Sequence, residues 1–175
     1  MRAVLVPIVF WLLIVGETQA AFFLFVLAGV TDALDGFLAK RFNWQTELGA
    51  YLDPLADKLL IVSIFIALGS LRELPSWLVI AVVSRDILIV IAVLVSWLVD
   101  NPVTMRPSWV SKANTFSQLV LAAVVLADIG FGLGWGTLRI LLVWATGVLT
   151  VASLAAYLRT WLRHMSRYDS DGSVR

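Results

Sequence analysis

The chain has 175 residues, 61% of them hydrophobic and 14% charged, with a formal net charge of +1. A soluble domain carries about 25% charged and about 45–50% apolar residues, so this composition points to a polytopic membrane protein. Cysteine is absent and the single histidine, His164, lies in a charged tail. That excludes disulfides, thiolate zinc sites, cysteine nucleophiles and histidine-rich metal centres, and the near-neutral charge offers no case for nucleic-acid binding.

A membrane-spanning helix needs about 20 mainly apolar residues. In chain order the apolar runs predict six helices, at 3–16, 20–39, 49–70, 75–99, 114–133 and 137–162. The first is short. A signal peptide is the alternative there, but no small-residue cleavage site follows and the next apolar run begins almost at once. Gly16-Glu17-Thr18-Gln19 separates the first two runs, and 40–48 is a polar connection. Arg72-Glu73-Leu74-Pro75 reads as a tight turn with a helix-starting proline. Residues 100–113 carry two prolines, and Gly130, Gly132, Gly134 and Gly136 mark the last turn. The expected fold is an all-α integral-membrane domain of six transmembrane helices over 1–162, followed by a charged tail at 163–175 that lies on the membrane surface and frays.

Six spans put both termini on one side. That side holds Arg2, Lys40, Arg41, Arg106, Lys112, Arg159, Arg163, Arg167 and Arg175, and the other holds Arg72 and Arg139. Nine cations against two is a positive-inside bias, so both termini are expected in the cytoplasm. Chain length and the lack of a transit-type leader point to a bacterial inner membrane.

Carboxylates inside apolar runs need a reason, since each costs about 2.5–3.5 kcal/mol at mid-helix. Asp32, Asp35, Asp53, Asp57, Asp86 and Asp128 are such residues. Asp32 and Asp35 are spaced i, i+3 and Asp53 and Asp57 i, i+4, so each pair lies on one helical face. Both pairs flank the same short connection, so their faces converge. Four carboxylates side by side need cation compensation, and an all-oxygen set suits Mg²⁺ or Mn²⁺. Two such ions bridge a diphosphate and activate a hydroxyl for in-line attack. Simple ion pairing with Lys40, Lys58 and Arg85 is a weaker account, because the acids outnumber nearby bases. A cation or proton pathway is the rival function, but glycine-spaced acids at the interface suit a bulky ligand better than a midplane relay.

The segment Asp32-Ala33-Leu34-Asp35-Gly36-Phe37-Leu38-Ala39-Lys40, then eight residues, then Gly49-Ala50-Tyr51-Leu52-Asp53-Pro54-Leu55-Ala56-Asp57 resembles the signature of the CDP-alcohol phosphatidyltransferase family, D-x2-D-G-x2-A-R followed by G-x3-D-x3-D. Only Lys40 departs from it, where arginine is usual. The resemblance implies that an acceptor hydroxyl attacks the lipid-side phosphorus of CDP-diacylglycerol and CMP leaves. It implies metal binding by Asp32, Asp35, Asp53 and Asp57, with Asp57 also the catalytic base. It implies a CDP site of Asp32, Gly36, Ala39, Lys40 and Gly49, and relatives that are commonly homodimers. Lysine keeps the charge of arginine at position 40 but loses its bidentate fork.

Two further features resemble the glycerol branch of the family. Arg85-Asp86 sits in the fourth apolar run, and Ser111-Lys112-Ala113-Asn114-Thr115 opens the fifth, with Gln118 a turn later. The resemblance implies an acceptor site of Arg85, Lys112 and Asn114, where the cations bind an anionic phosphate, with Asp86 orienting Arg85. Phosphatidylglycerophosphate synthases, which use glycerol 3-phosphate, carry a second arginine where this chain has Val93. The stretch Arg106-Pro107-Ser108-Trp109 before Ser111 looks more like the cardiolipin synthases, whose acceptor is phosphatidylglycerol. The expected partners are therefore CDP-diacylglycerol, one of these two acceptors and membrane lipid, with the site facing the cytoplasm. Asp128, His164 and the tryptophans near span ends are expected at the interface or surface.

Overall fold

A computed structural model describes the backbone over residues 2–42, 47–98 and 109–172, and side chains at Leu5, 7–31, Leu34, 59–91 and 109–159. The described residues form helices α1 (Arg2–Val15), α2 (Thr18–Phe42), α3 (Glu47–Ser70), α4 (Ser76–Leu98), α5 (Trp109–Phe131) and α6 (Gly136–Gly172), with no strand among them. Each falls on a predicted apolar run. Two ends differ from the prediction. α5 begins at Trp109, before the expected start at 114, because Ser111, Lys112 and Asn114 are polar without being helix breakers. α6 continues to Gly172, past the expected end at 162. Polarity ends an apolar run, but arginine, leucine and methionine sustain a helix, so the charged tail is helical as far as Gly172, and its expected frayed end, at 173–175, lies outside the described residues.

Three short turns join α1 to α2, α3 to α4 and α5 to α6. Each first helix ends in a left-handed residue: Gly16 (φ 87°), Arg72 (φ 62°) and Gly132 (φ 64°). At α1, Glu17 N donates to Leu12 O at 2.9 Å and Gly16 N to Leu13 O at 3.3 Å. At α3, Glu73 N donates to Leu68 O at 2.9 Å and Arg72 N to Gly69 O at 3.0 Å. These are paired Schellman bonds, and they satisfy carbonyls that a helix end otherwise leaves open. α5 closes with one bond, Gly132 N to Asp128 O at 2.9 Å. Glycine reaches this backbone region without a Cβ clash; Arg72 does so against its preference.

Side chains bring the three turns to one end of the bundle. Gln19 Nε2 donates to Gly130 O at 2.8 Å. Arg139 reaches both Glu73 and Asp128. Phe22, Phe23 and Phe131 form a ring of edge contacts with centroids 5.6–5.8 Å apart. Below them α1 packs on α2 and α3, α5 packs on α2, α3 and α6, and α4 packs on α3 and α6. The core between them holds Val9, Leu13, Phe25, Phe65, Leu68, Leu78, Val82, Leu121 and Val125. Among the described residues α2 and α3 do not touch directly; α1 and α5 lie against both.

α6 is inverted relative to a helix in water. It buries Thr146, Thr150 and Ser153, and it exposes Leu141, Trp144, Val148 and Val151 at 62–65%. An aqueous surface helix buries its apolar stripe, whereas apolar groups outside and hydroxyls at the helix contact are what lipid solvation favours. Trp109–Phe131 and Gly136–Arg159 are long and apolar enough to cross a membrane, and Thr18–Thr31 and Leu59–Ser70 are shorter apolar helical stretches.

Candidate active site

The signature residues fall on two helices joined by residues 43–46, which lie outside the described residues. Asp32, Asp35, Gly36, Ala39 and Lys40 belong to the second half of α2; Gly49, Asp53 and Asp57 belong to the first half of α3. Their side chains, and that of Lys58, are outside the described set. The backbone still fixes their levels. Asp35 stands seven residues before Phe42 and Asp53 six after Glu47; Asp32 stands ten before and Asp57 ten after. At about 1.5 Å per helical residue, the two pairs match in distance from the connection. Each pair shares one face of an unbroken helix. The donor set is four carboxylates with no sulfur or nitrogen, which fits a hard divalent cation such as Mg²⁺ or Mn²⁺. Among the described residues there is no group of three or more His, Cys, Asp or Glu placed to hold a metal.

Arg85 on α4 is 2% exposed. Its Nη1 donates to Asp86 Oδ1 at 2.5 Å, and its Nη2 donates to Ser111 Oγ at 2.7 Å and Ser153 Oγ at 2.8 Å. One guanidinium therefore joins α4, α5 and α6, and the pairing with Asp86 balances a charge that burial alone would not tolerate. Arg85 Nε has no hydrogen-bond partner. Asn114 is fully buried, and Thr150 Oγ1 donates to its Oδ1 at 2.9 Å. Lys112 is exposed, with Nζ 5.3 Å from the ring centroid of Trp109, close enough for a cation–π contact. It lines a cavity of about 360 Å³ with Ser111, Thr115, Phe116 and Leu119. The structure thus gathers Arg85, Ser111 and Asn114 at one junction and sets Lys112 on the outer side of the same turn of α5.

Two further polar groups stand apart from this junction. One is the seam between α5 and α6, where Ser117 and Thr146 hydroxyls meet at 2.6 Å, one turn from the Asn114–Thr150 bond. Thr146, Thr150 and Ser153 recur at spacings of four and three in an apolar helix, and that polar stripe was the available signal. The other is at the turn end. Asp128, near the end of α5, is 9% exposed; its Oδ1 accepts from Trp135 N at 2.8 Å and its Oδ2 from Arg139 Nη1 at 3.0 Å. The glycine-rich turn draws Asp128 and Arg139 together and hides both from their linear context. A second cavity of about 410 Å³, lined by Glu73, Trp77, Arg139 and Trp144 among others, lies at this end.

The family model for CDP-alcohol phosphatidyltransferases matches residues 1–154. The chain belongs to the CDP-alcohol phosphatidyltransferase family. It is similar to the human protein "Cardiolipin synthase (CMP-forming)", 32% identical over 173 residues that make up 89% of this chain and 57% of the human protein. The rat protein of the same name is 32% identical over 170 residues, 88% of this chain and 56% of that protein. The Escherichia coli K12 "CDP-diacylglycerol–glycerol-3-phosphate 3-phosphatidyltransferase" is 32% identical over 166 residues, 90% of this chain and 88% of that protein. The chain therefore spans little more than half the length of its mammalian relatives and most of the bacterial one. The family match covers both halves of the signature and the Arg85, Asn114 and Thr150 junction together.

Proposed function

We propose that the protein is a membrane enzyme that transfers the phosphatidyl group of CDP-diacylglycerol to the hydroxyl of a glycerol-type acceptor and releases CMP. The observation that carries this reading is the matched placement of Asp32 with Asp57 and Asp35 with Asp53 about a four-residue connection, in a chain of this family. These four carboxylates would hold two Mg²⁺ or Mn²⁺ ions, which when bound neutralise the diphosphate. By the family resemblance, Gly36, Ala39 and Gly49 leave room for the cytidine nucleotide beside Asp32, and Lys40 supplies a positive charge for its diphosphate. The acceptor oxygen attacks the phosphorus that bears diacylglycerol, the bond from that phosphorus to the bridging oxygen of CMP breaks, and Asp57 takes the hydroxyl proton.

Arg85, Lys112 and Asn114 hold the acceptor's phosphate group in this reading. Val93, where a second arginine would serve a dianionic phosphomonoester, favours the singly charged phosphodiester of phosphatidylglycerol. The near-full coverage of the bacterial glycerol-3-phosphate enzyme supports glycerol 3-phosphate as the second reading. The excess of Lys and Arg on one side supports six spans with both termini and the active site in the cytoplasm. Similarity to the Escherichia coli protein supports a bacterial inner membrane, and family resemblance supports a homodimer.

The test is a lipid-product assay on purified full chain in detergent with CDP-diacylglycerol and Mg²⁺ or Mn²⁺, offered phosphatidylglycerol or glycerol 3-phosphate. The expected product is cardiolipin with stoichiometric CMP. Exclusive use of glycerol 3-phosphate selects the second reading, and no CMP with either acceptor rejects the function. Asp57→Asn is expected to abolish turnover while CDP still binds; turnover retained in that variant removes Asp57 as the base.

A further inference from the structure

Among the described residues, three buried N–H donors have no hydrogen-bond partner: Arg85 Nε, Asn114 Nδ2 and Gln118 Nε2. Their residues are 2%, 0% and 1% exposed. A buried donor left unmatched carries its full desolvation cost, and folded proteins match the great majority of such groups. These three are also grouped. Arg85 reaches Ser111, one turn before Asn114, and Asn114 and Gln118 stand one turn apart on the buried face of α5. Exchanging oxygen and nitrogen in the Asn114 carboxamide leaves one end of it unmatched in either orientation, because the Thr150 hydroxyl meets only one end, and Arg85 Nε is a donor whatever that orientation.

The direction of Gln118 follows from its neighbour. Ser117 meets Thr146 of α6. Successive helical residues are turned by about 100°, so Gln118 stands about 100° from Ser117 and about 40° from Asn114, on the flank of the α6 seam away from Ser117. The other helices packed on α5 are α2 and α3, which carry the four aspartates.

Its level follows from one contact. Gly130 of α5 abuts the start of α2: it accepts from Gln19 at 2.8 Å, and a Cβ there would lie 3.3 Å from Gln19 N. From that point both helices run away from the turn end in antiparallel chain directions. Gln118 is twelve residues from Gly130, as Thr31 is from Gln19; Asn114 and Asp35 are each sixteen away. With a common rise per residue, Gln118 comes level with Thr31 and Asp32, and Asn114 with Asp35.

We infer that Gln118, with Asn114, forms a donor wall at the level of Asp32 and Asp35 along α2 and binds a phosphoryl oxygen of the acceptor. This rests on the phosphatidyltransferase reading and adds to it a residue outside the signature. A phosphoryl oxygen only accepts hydrogen bonds, which matches a surplus of donors. Water must also donate, and in donor-rich surroundings its own hydrogens go unmatched. Neutral carboxamides add hydrogen bonds without adding charge, so they suit a single negative charge beside Arg85. The phosphoryl group belongs either to free glycerol 3-phosphate or to the headgroup of phosphatidylglycerol.

The experiment measures thermal midpoints of the full chain in detergent with Mg²⁺, for wild type, Gln118→Met and Gln118→Glu, alone and with CDP, glycerol 3-phosphate or phosphatidylglycerol. Gln118→Met keeps the shape and removes the donor. It is expected to leave the ligand-free midpoint equal or higher, to keep the CDP-induced shift, and to weaken acceptor binding about tenfold or more. Gln118→Glu replaces the donor with an acceptor and is expected to weaken acceptor binding further. The acceptor that shifts the wild type identifies the source of the phosphoryl group. Wild-type acceptor affinity in both variants overturns the inference and leaves the function standing. So does a marked fall in the ligand-free midpoint of Gln118→Met, because the carboxamide would then be partnered in the resting protein. A CDP shift with no shift from either acceptor in the wild type overturns the acceptor reading and the inference with it, and no shift from CDP rejects the proposed function as a whole.

Discussion

Arg139 donates twice to Glu73, to its carboxylate Oε2 and to its backbone carbonyl, each at 2.7 Å. The remaining terminal nitrogen holds Asp128 at 3.0 Å. One side chain of α6 thus ties the α3–α4 turn to the α5–α6 turn, and Gln19 ties the α1–α2 turn to Gly130. The chain closes one end of the bundle with hydrogen bonds and places its acidic pairs in the halves of α2 and α3 that lie away from that end. Rigidity and chemistry are separated along the helix axes.

Arg139→Ala leaves Asp128 and Glu73 without their cation in a site where Asp128 is 9% exposed. The expected loss is about 2–4 kcal/mol, since removing one member of a buried ion network strands the others. Arg139→Lys is expected to recover only part of it, because an ammonium lacks the planar fork that reaches both carboxylates. Thermal unfolding in detergent measures both variants, and an unchanged midpoint in Arg139→Ala contradicts the role given to this network.

Arg72 occupies the left-handed position of the α3 cap that Gly16 occupies in α1. Its side chain is exposed and the cap bonds are made by backbone, so nothing is lost on truncation. Arg72→Gly is expected to stabilise the protein by about 0.5–1 kcal/mol, relief of the left-handed strain outweighing the added chain entropy. Arg72→Val, with a β-branched side chain at φ 62°, is expected to destabilise it by at least as much. Equal midpoints for the two variants would show that the cap carries no such strain.

The helix positions were legible because lipid demands long apolar runs, and the turns because glycine and proline punctuate them. The ends of α5 and α6 were less legible, since the end of an apolar run and the end of a helix are different events; Arg163 and Met165 continue α6 past the predicted end at 162. The aspartates stand out in the sequence because a carboxylate in an apolar run has few structural excuses. Thr146, Thr150 and Ser153 were not, because a hydroxyl in a membrane helix costs little and draws no notice until a facing helix supplies Ser117 and Asn114. Gln118 was visible in the sequence, but its importance depends on the register between α2 and α5, which the Gln19–Gly130 contact fixes.

The four aspartates make a further demand that separates them from Asp128. Carboxylates that share one site repel one another until a cation arrives. Wild-type protein in EDTA carries that repulsion, so Asp53→Asn is expected to raise the midpoint in EDTA. Added Mn²⁺ is expected to stabilise the wild type by about 2.7 kcal/mol at a hundredfold excess over its dissociation constant, and Asp53→Asn by much less. Chelation is expected to abolish CMP release and excess Mg²⁺ or Mn²⁺ to restore it. Asp128→Asn is the comparison: it loses its bond to Arg139, so its midpoint falls equally with and without metal. If the Mn²⁺-induced rise survives in Asn variants at all four positions, the ions bind elsewhere and the pairing of Asp32 with Asp57 and Asp35 with Asp53 is not a metal site.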